Sequence, residues 1–179
     1  MAIVNLDKVL SGANGNLESV VAYESKTKQV DAYGNGLFVE LKGLVGTYDS
    51  KFTGRAGEAK AGQISADGAG DVVMLHAPEL QYDEKKLMRE FKNEAGKVVR
   101  GYRIAKGDIL TMTDEAMGLT THGDIAVGDI LEVKNGRLAK FVAGGDGSPT
   151  APAGLAFEVL ADADNEIDTV EKAWTIQAV

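Results

Sequence analysis

Ile104-Ala105-Lys106-Gly107-Asp108-Ile109-Leu110 returns as Ile125-Ala126-Val127-Gly128-Asp129-Ile130-Leu131, six identities in seven at an offset of 21 residues. Each copy reads as apolar residues, a Gly-Asp turn, and a strand that opens on Ile-Leu. Glycine relieves the backbone in the turn, and the short aspartate side chain can bond a neighbouring N–H. Two copies fall short of the three or so units that a solenoid needs. They predict two successive strand starts in a small antiparallel sandwich or barrel. The second copy runs on into Leu131-Glu132-Val133-Lys134-Asn135-Gly136-Arg137-Leu138-Ala139-Lys140-Phe141. Its two alternating arms meet at Asn-Gly, a pair that accepts the positive φ values of a type I′ hairpin turn.

Working outward, Leu155 to Leu160 and Ala173 to Val179 read as strands, the latter with Trp174, Ile176 and Ala178 on one side. The polar turn between them spans Ala161 to Asp168, and Gly144 to Ala153 reads as a loop. Upstream, Val72-Val73-Met74-Leu75 suits a buried strand. Tyr82, Leu87, Met88 and Phe91 leave a choice between a two-turn helix and a hairpin that turns at Asn93 to Gly96. Lys97 to Ile104 is extended in either case. In the opening third, Val20 to Tyr23 is a short β-prone run. Leu37, Val39 and Leu41 alternate with Phe38 and Glu40 just after the turn signal Asn35-Gly36. Gly43 to Gly70 is dominated by glycine, alanine and small polar residues, and it is expected to build no core and to serve as a loop or binding arm. The resulting expectation is a mostly β chain, a small antiparallel sandwich or barrel with long loops or arms and at most one or two short helices. Residues 1–70 form a loop-rich N-terminal region with a few strands, and residues 71–179 a β-rich core domain.

Composition agrees with many short strands joined by turns. The 179 residues include 22 glycines and three prolines, and glycine is a poor choice inside long helices. Cysteine is absent, so neither disulfides nor thiolate ligands hold the fold. With 27 acidic against 19 basic side chains and a pI near 4.8, the field repels phosphate backbones, which argues against nucleic acid as a partner. No run approaches the roughly 18 apolar residues of a membrane span. The expectation is a soluble chain assembled in a reducing cytoplasm, with no membrane partner.

Catalytic and metal signals are weak. His76 and His122 are the only histidines, and neither has an adjacent His or Cys to begin a transition-metal site. No nucleophile elbow occurs. Asp162-Ala163-Asp164-Asn165-Glu166-Ile167-Asp168 opens like a calcium loop, but Ile167 stands where the glycine belongs and Ala173 where the bidentate Glu belongs. The expected reading is an acidic hairpin turn. Gly96-Lys97 is followed by Val98, and Phe91 replaces the first glycine of a phosphate loop. No catalytic residue, metal or cofactor is expected. A denser cluster of cations, Lys85, Lys86, Arg89, Lys92, Lys97, Arg100 and Arg103, is interleaved with Asp83, Glu84, Glu90 and Glu94. It suits a solvated face or a contact surface for a larger partner.

The stretch Tyr82-Asp83-Glu84-Lys85-Lys86, Phe91, Asn93-Glu94-Ala95-Gly96-Lys97, Arg100, Tyr102 and the two Gly-Asp-Ile-Leu segments resembles structural proteins of tailed bacteriophages of Gram-positive hosts. The likeness is greatest to head-associated capsid decoration or cement proteins, and it covers roughly residues 71–142. The resemblance implies a β-rich, non-catalytic virion protein on the outer capsid surface. It would bind the major capsid protein lattice and stabilise the assembled shell, as a monomer or a trimer. On that reading the seven cations are the candidate capsid contacts, with Met1 to Asn16 and Gly43 to Gly70 as accessory arms. The alternatives are a tail or baseplate component, a host-surface-binding adhesin-like module, and a small β-fold enzyme.

Overall fold

Residues 37–44 alternate as expected, yet both sides of the strand are buried: Leu37, Val39 and Leu41 on one face and Phe38 on the other. A strand apolar on both faces needs a covering layer on each side. The computed structural model supplies two. It describes residues 2–9, 17–51, 57–78, 91–144, 150–164, 167 and 170–179. The strands are β1 (Val4–Lys8), β2 (Leu17–Ser25), β3 (Lys28–Gln29), β4 (Leu37–Leu44), β5 (Lys60–Ile64), β6 (Val72–His76), β7 (Val99–Tyr102), β8 (Ile109–Thr113), β9 (Ile130–Lys134), β10 (Arg137–Lys140), β11 (Ala156–Asp162) and β12 (Ala173–Ala178). Two one-turn helices, α1 (Val45–Tyr48) and α2 (Asp114–Met117), and a 3-10 turn at His122–Asp124 complete the elements. The fold is mostly β.

β2, β5, β4, β6 and β7 pair in that order, and β7 pairs back onto β2, so five strands close a small barrel with β3 appended. The neighbours are antiparallel except β2 and β5, which run parallel. Inside lie Val20, Leu37, Val39, Val73, Leu75 and Val99, with Tyr33 at the margin. So few strands enclose little space, and two positions answer with glycine. A Cβ on Gly62 would sit 2.5 Å from Val39 Cγ2 and 2.6 Å from Val20 Cγ1, and one on Gly101 would sit 2.9 Å from Val20 and Val73.

This corrects the reading of Gly43 to Gly70 as a segment unable to build a core. Its Lys60-Ala61-Gly62-Gln63-Ile64 stretch pairs with strands on both sides, and its small residues are what the narrow interior admits. Ala59 and Ala61 pack on the outer side with Val21 and Tyr23, under Val45 and Tyr48.

The other six strands form an open antiparallel sheet in the order β1, β8, β12, β11, β9, β10. The barrel is therefore inserted between two strands, β1 and β8, that are neighbours in this sheet. A boundary at residue 70 falls between β5 and β6, within the barrel, and Val4–Lys8, expected as part of an arm, is an edge strand of the sheet. Phe38 and Met74 project from the barrel into the sheet's core beside Leu110, Met112, Phe157 and Ile176. The rings of Phe38 and Phe157 lie 5.8 Å apart.

The repeated heptad forms the same device twice. Asp108 N–H donates to Ala105 O, Gly107 takes φ +90°, and the Asp108 carboxylate accepts from Ala105 N at 2.9 Å. In the second copy, Asp129 N–H donates to Ala126 O, Gly128 takes φ +89°, and the Asp129 carboxylate accepts from Ala126 N at 2.8 Å. A positive-φ glycine third in the turn is the type II requirement. The two turns start β8 and β9, as the repeat predicts, and are anchored alike: Gly107 N–H donates to Ala178 O and Gly128 N–H to Val159 O, both at 2.8 Å.

The Asn135-Gly136 hairpin also forms, with φ of 49° and 76°. Its tip docks on the barrel: Gly136 N–H donates to Ser65 O at 2.7 Å, and Phe38 N–H donates to Gly136 O at 2.9 Å. Next to it, Arg137 Nη1 donates to Asn35 O (3.1 Å) and to Ala116 O (2.9 Å), tying barrel to sheet through α2. Burial lowers the Arg137 pKa, and the nearby charge of Glu115 acts against that shift. Arg137→Met keeps most of the aliphatic stem but deprives two carbonyls of their donor. We expect it to cost about 2–3 kcal/mol, read as a lower urea midpoint at unchanged slope.

Candidate functional site

Among the seven candidate cations, Lys85, Lys86 and Arg89 lie outside the described residues, as does the 82–90 part of the segment where helix and hairpin competed; its described end is not helical and turns at Ala95-Gly96. The other four separate into two kinds. Arg103 is held by Asp71 and, at 2.9 Å, by Glu18, bridging positions on three different segments. Its hydrogen bonds to these two carboxylates raise its pKa. Lys92, Lys97 and Arg100 are exposed, as is Val98. Among the described residues, Lys97 forms a long contact of 3.7 Å to Glu94, with both side chains well solvated, a pairing worth little.

The exposed cations stand on a firm base. Asn93 pairs with Tyr33 through both backbone groups at 2.7 and 3.0 Å. The Asn93 amide donates to Asn35 Oδ1 at 3.1 Å, and Asn35 in turn exchanges bonds of 2.8 and 3.0 Å with the Ala77 backbone. Both asparagines are buried. A satisfied buried polar network fixes one geometry, so the turn that follows Asn93 and the start of β7 are presented rigidly. The Asn35-Gly36 signal marks more than a turn, since Asn35 is the hub of this network.

Charge is unevenly divided. Residues 17–102 carry thirteen acidic and twelve basic side chains, whereas residues 103–179 carry thirteen and six. Nearly all of the net −8 therefore belongs to the part of the chain that builds β8 to β12. The barrel is close to neutral.

The histidines differ in setting. His76 meets Tyr102 edge-on at 5.7 Å on the barrel. His122 lies between Asp114, whose two oxygens are each 3.0 Å from Nδ1, and Asp162, 3.3 Å from Nε2. Its ring stacks on Trp174 at 4.5 Å. Asp114 and Asp162 are 8 and 40 positions from His122, and neither separation is a recognisable ligand spacing. Asp162 also accepts from Asp164 N at 3.0 Å, the local bond of a tight acidic turn. Among the described residues, no group of three or more His, Asp or Glu is arranged to hold a metal ion.

A cleft of about 300 Å³ opens at the seam between barrel and sheet, lined by Gly68, Ala69, Gly70, Val72, Ile104, Ala153, Gly154 and Leu155. Its lining includes no ionisable side chain. Its walls touch where Leu155 N–H donates to Gly68 O at 3.0 Å. Among the described residues no helix is long and apolar enough to cross a membrane. Comparison of the chain with protein-family models, with curated proteins and with solved structures returns no match.

Proposed function

We propose that this chain is a non-catalytic structural protein of a tailed bacteriophage that attaches to the outer surface of the assembled head and stabilises it. The observation that carries the reading is the rigid presentation of Lys92, Lys97, Val98 and Arg100 on a near-neutral barrel, within the stretch that resembles decoration proteins. The asparagine network fixes the backbone that carries these cations, so binding has to order their side chains but not the chain beneath them. They favour an acidic partner surface and steer the encounter. Arg103, engaged by Asp71 and Glu18, is a brace behind the contact. The acidic sheet faces away from the partner on this reading. A ligand that binds the expanded shell and not its dissociated subunits stabilises the shell by mass action, and many copies on one lattice add avidity.

Co-sedimentation with expanded empty heads of the encoding phage, prepared without this chain, tests the reading. The wild-type chain should pellet with the heads, and less so as salt rises. Lys97→Glu combined with Arg100→Glu should lower retention about tenfold or more. Failure of the wild-type chain to co-sediment at low salt refutes the capsid assignment. Unchanged retention of the double variant moves the contact elsewhere.

A further inference from the structure

His122 joins three segments that are distant in the chain: α2 through Asp114, the end of β11 through Asp162, and β12 through the face of Trp174. Both ring nitrogens face carboxylate oxygens. Neutral imidazole has one N–H, so it satisfies one carboxylate and turns a lone pair toward the other. Only the imidazolium donates to both. We propose that Asp114, His122 and Asp162 form a proton-operated latch that fastens the end of β11 to α2.

The surroundings support this. From α2 come Asp114 and Glu115, and from the β11 end Asp162 and Asp164. Lys172, ahead of β12, is spent on Asp164, and its carbonyl accepts from Asp114 N at 3.0 Å. Glu171 lies beside it, and Asp124 on the histidine's own turn accepts from Thr120. His122 thus sits in a predominantly anionic neighbourhood. Burial disfavours its charge, but the hydrogen bonds and charges of Asp114 and Asp162 outweigh burial and raise its pKa above 6.5. A group whose pKa is raised by folding adds stability that is complete below about 6.5 and is lost as pH climbs through the folded value. The latch is therefore closed in mild acid and opens on the alkaline side.

Opening is local. The bond from Ala163 N–H to Ala173 O joins the end of β11 to β12 next to the latch, and the closed barrel shares no strand with it. The predicted readout is a histidine titration by NMR, paired with amide exchange corrected for the intrinsic pH dependence. In the wild-type chain the His122 midpoint lies above 6.5. Protection at Ala163 falls as pH passes it, by about tenfold for each unit of excess, while barrel amides hold. Asp162→Asn, on a half-exposed side chain, brings the midpoint down, and His122→Asn removes the pH-dependent loss at Ala163. A wild-type midpoint at or below 6.5 overturns the latch. So does a midpoint unmoved by Asp162→Asn, or the same loss of protection in His122→Asn. None of these outcomes depends on what the protein binds.

Discussion

Phe38→Ala is expected to lower the unfolding free energy by about 3–5 kcal/mol. Phe38 is fully buried although it points out of the barrel. Its ring meets Phe157 at 5.8 Å in a tilted pair, an arrangement that adds to the area term. Truncation removes apolar burial and leaves a hole between two layers that cannot easily close. The Gly136 and Ser65 hydrogen bonds to the Phe38 backbone hold both layers in place. Urea denaturation followed by fluorescence checks this well, because Trp174 is the only tryptophan and belongs to the same core. A loss below about 1 kcal/mol would mean that barrel and sheet do not share that core.

Gly62→Val should be about as damaging for the opposite reason. Its new Cβ meets Val39 and Val20 at 2.5 and 2.6 Å, and β-branched neighbours have little rotamer freedom with which to retreat. Overpacking of this kind costs about 1–3 kcal/mol for modest insertions, and three added carbons at the narrowest part of a closed ring belong at or above the upper end. Gly62→Ala should cost less. Combining Gly62→Ala with Val39→Ala should recover part of the loss, and a coupling of about 0.5–3 kcal/mol in that double-mutant cycle would show that the two positions compete for one space. Additive losses would refute the steric account.

The strands that the chain announces are those whose signals are local. Asn135-Gly136 between alternating arms, the doubled Gly-Asp turn, and the runs at Val72–Leu75 and Ala173–Ala178 each contain the periodicity or the turn residue that makes them, and each is found in place. Closure of the barrel was not legible, because the β2–β7 and parallel β2–β5 pairings join distant segments and no hairpin turn sets their register. β5 was missed because its signal is inverted. Hydrophobic pattern marks a strand that fills space, whereas Ala61 and Gly62 make room for the side chains of others. The candidate site was legible to a similar degree. The cation cluster stands out in sequence, but Arg103 is recognised as a brace only once Glu18 and Asp71, 85 and 32 positions away, are brought beside it. His122 had nothing to mark it, since its partners come from a short helix and the end of a strand, 8 and 40 positions away.

The pairing of β1 with β8 imposes an order of events during synthesis. Ile3 bonds to Thr113, 110 positions further on, and at roughly 5–20 residues per second a ribosome needs about 5–20 s to deliver that partner. Throughout this wait the nascent Val4–Lys8 segment has nowhere to dock, and every strand of the closed ring is made before that partner is. Asn5, Asp7 and Lys8, which point to solvent in the finished sheet, keep the waiting strand from adhering to a neighbouring chain in the same polysome.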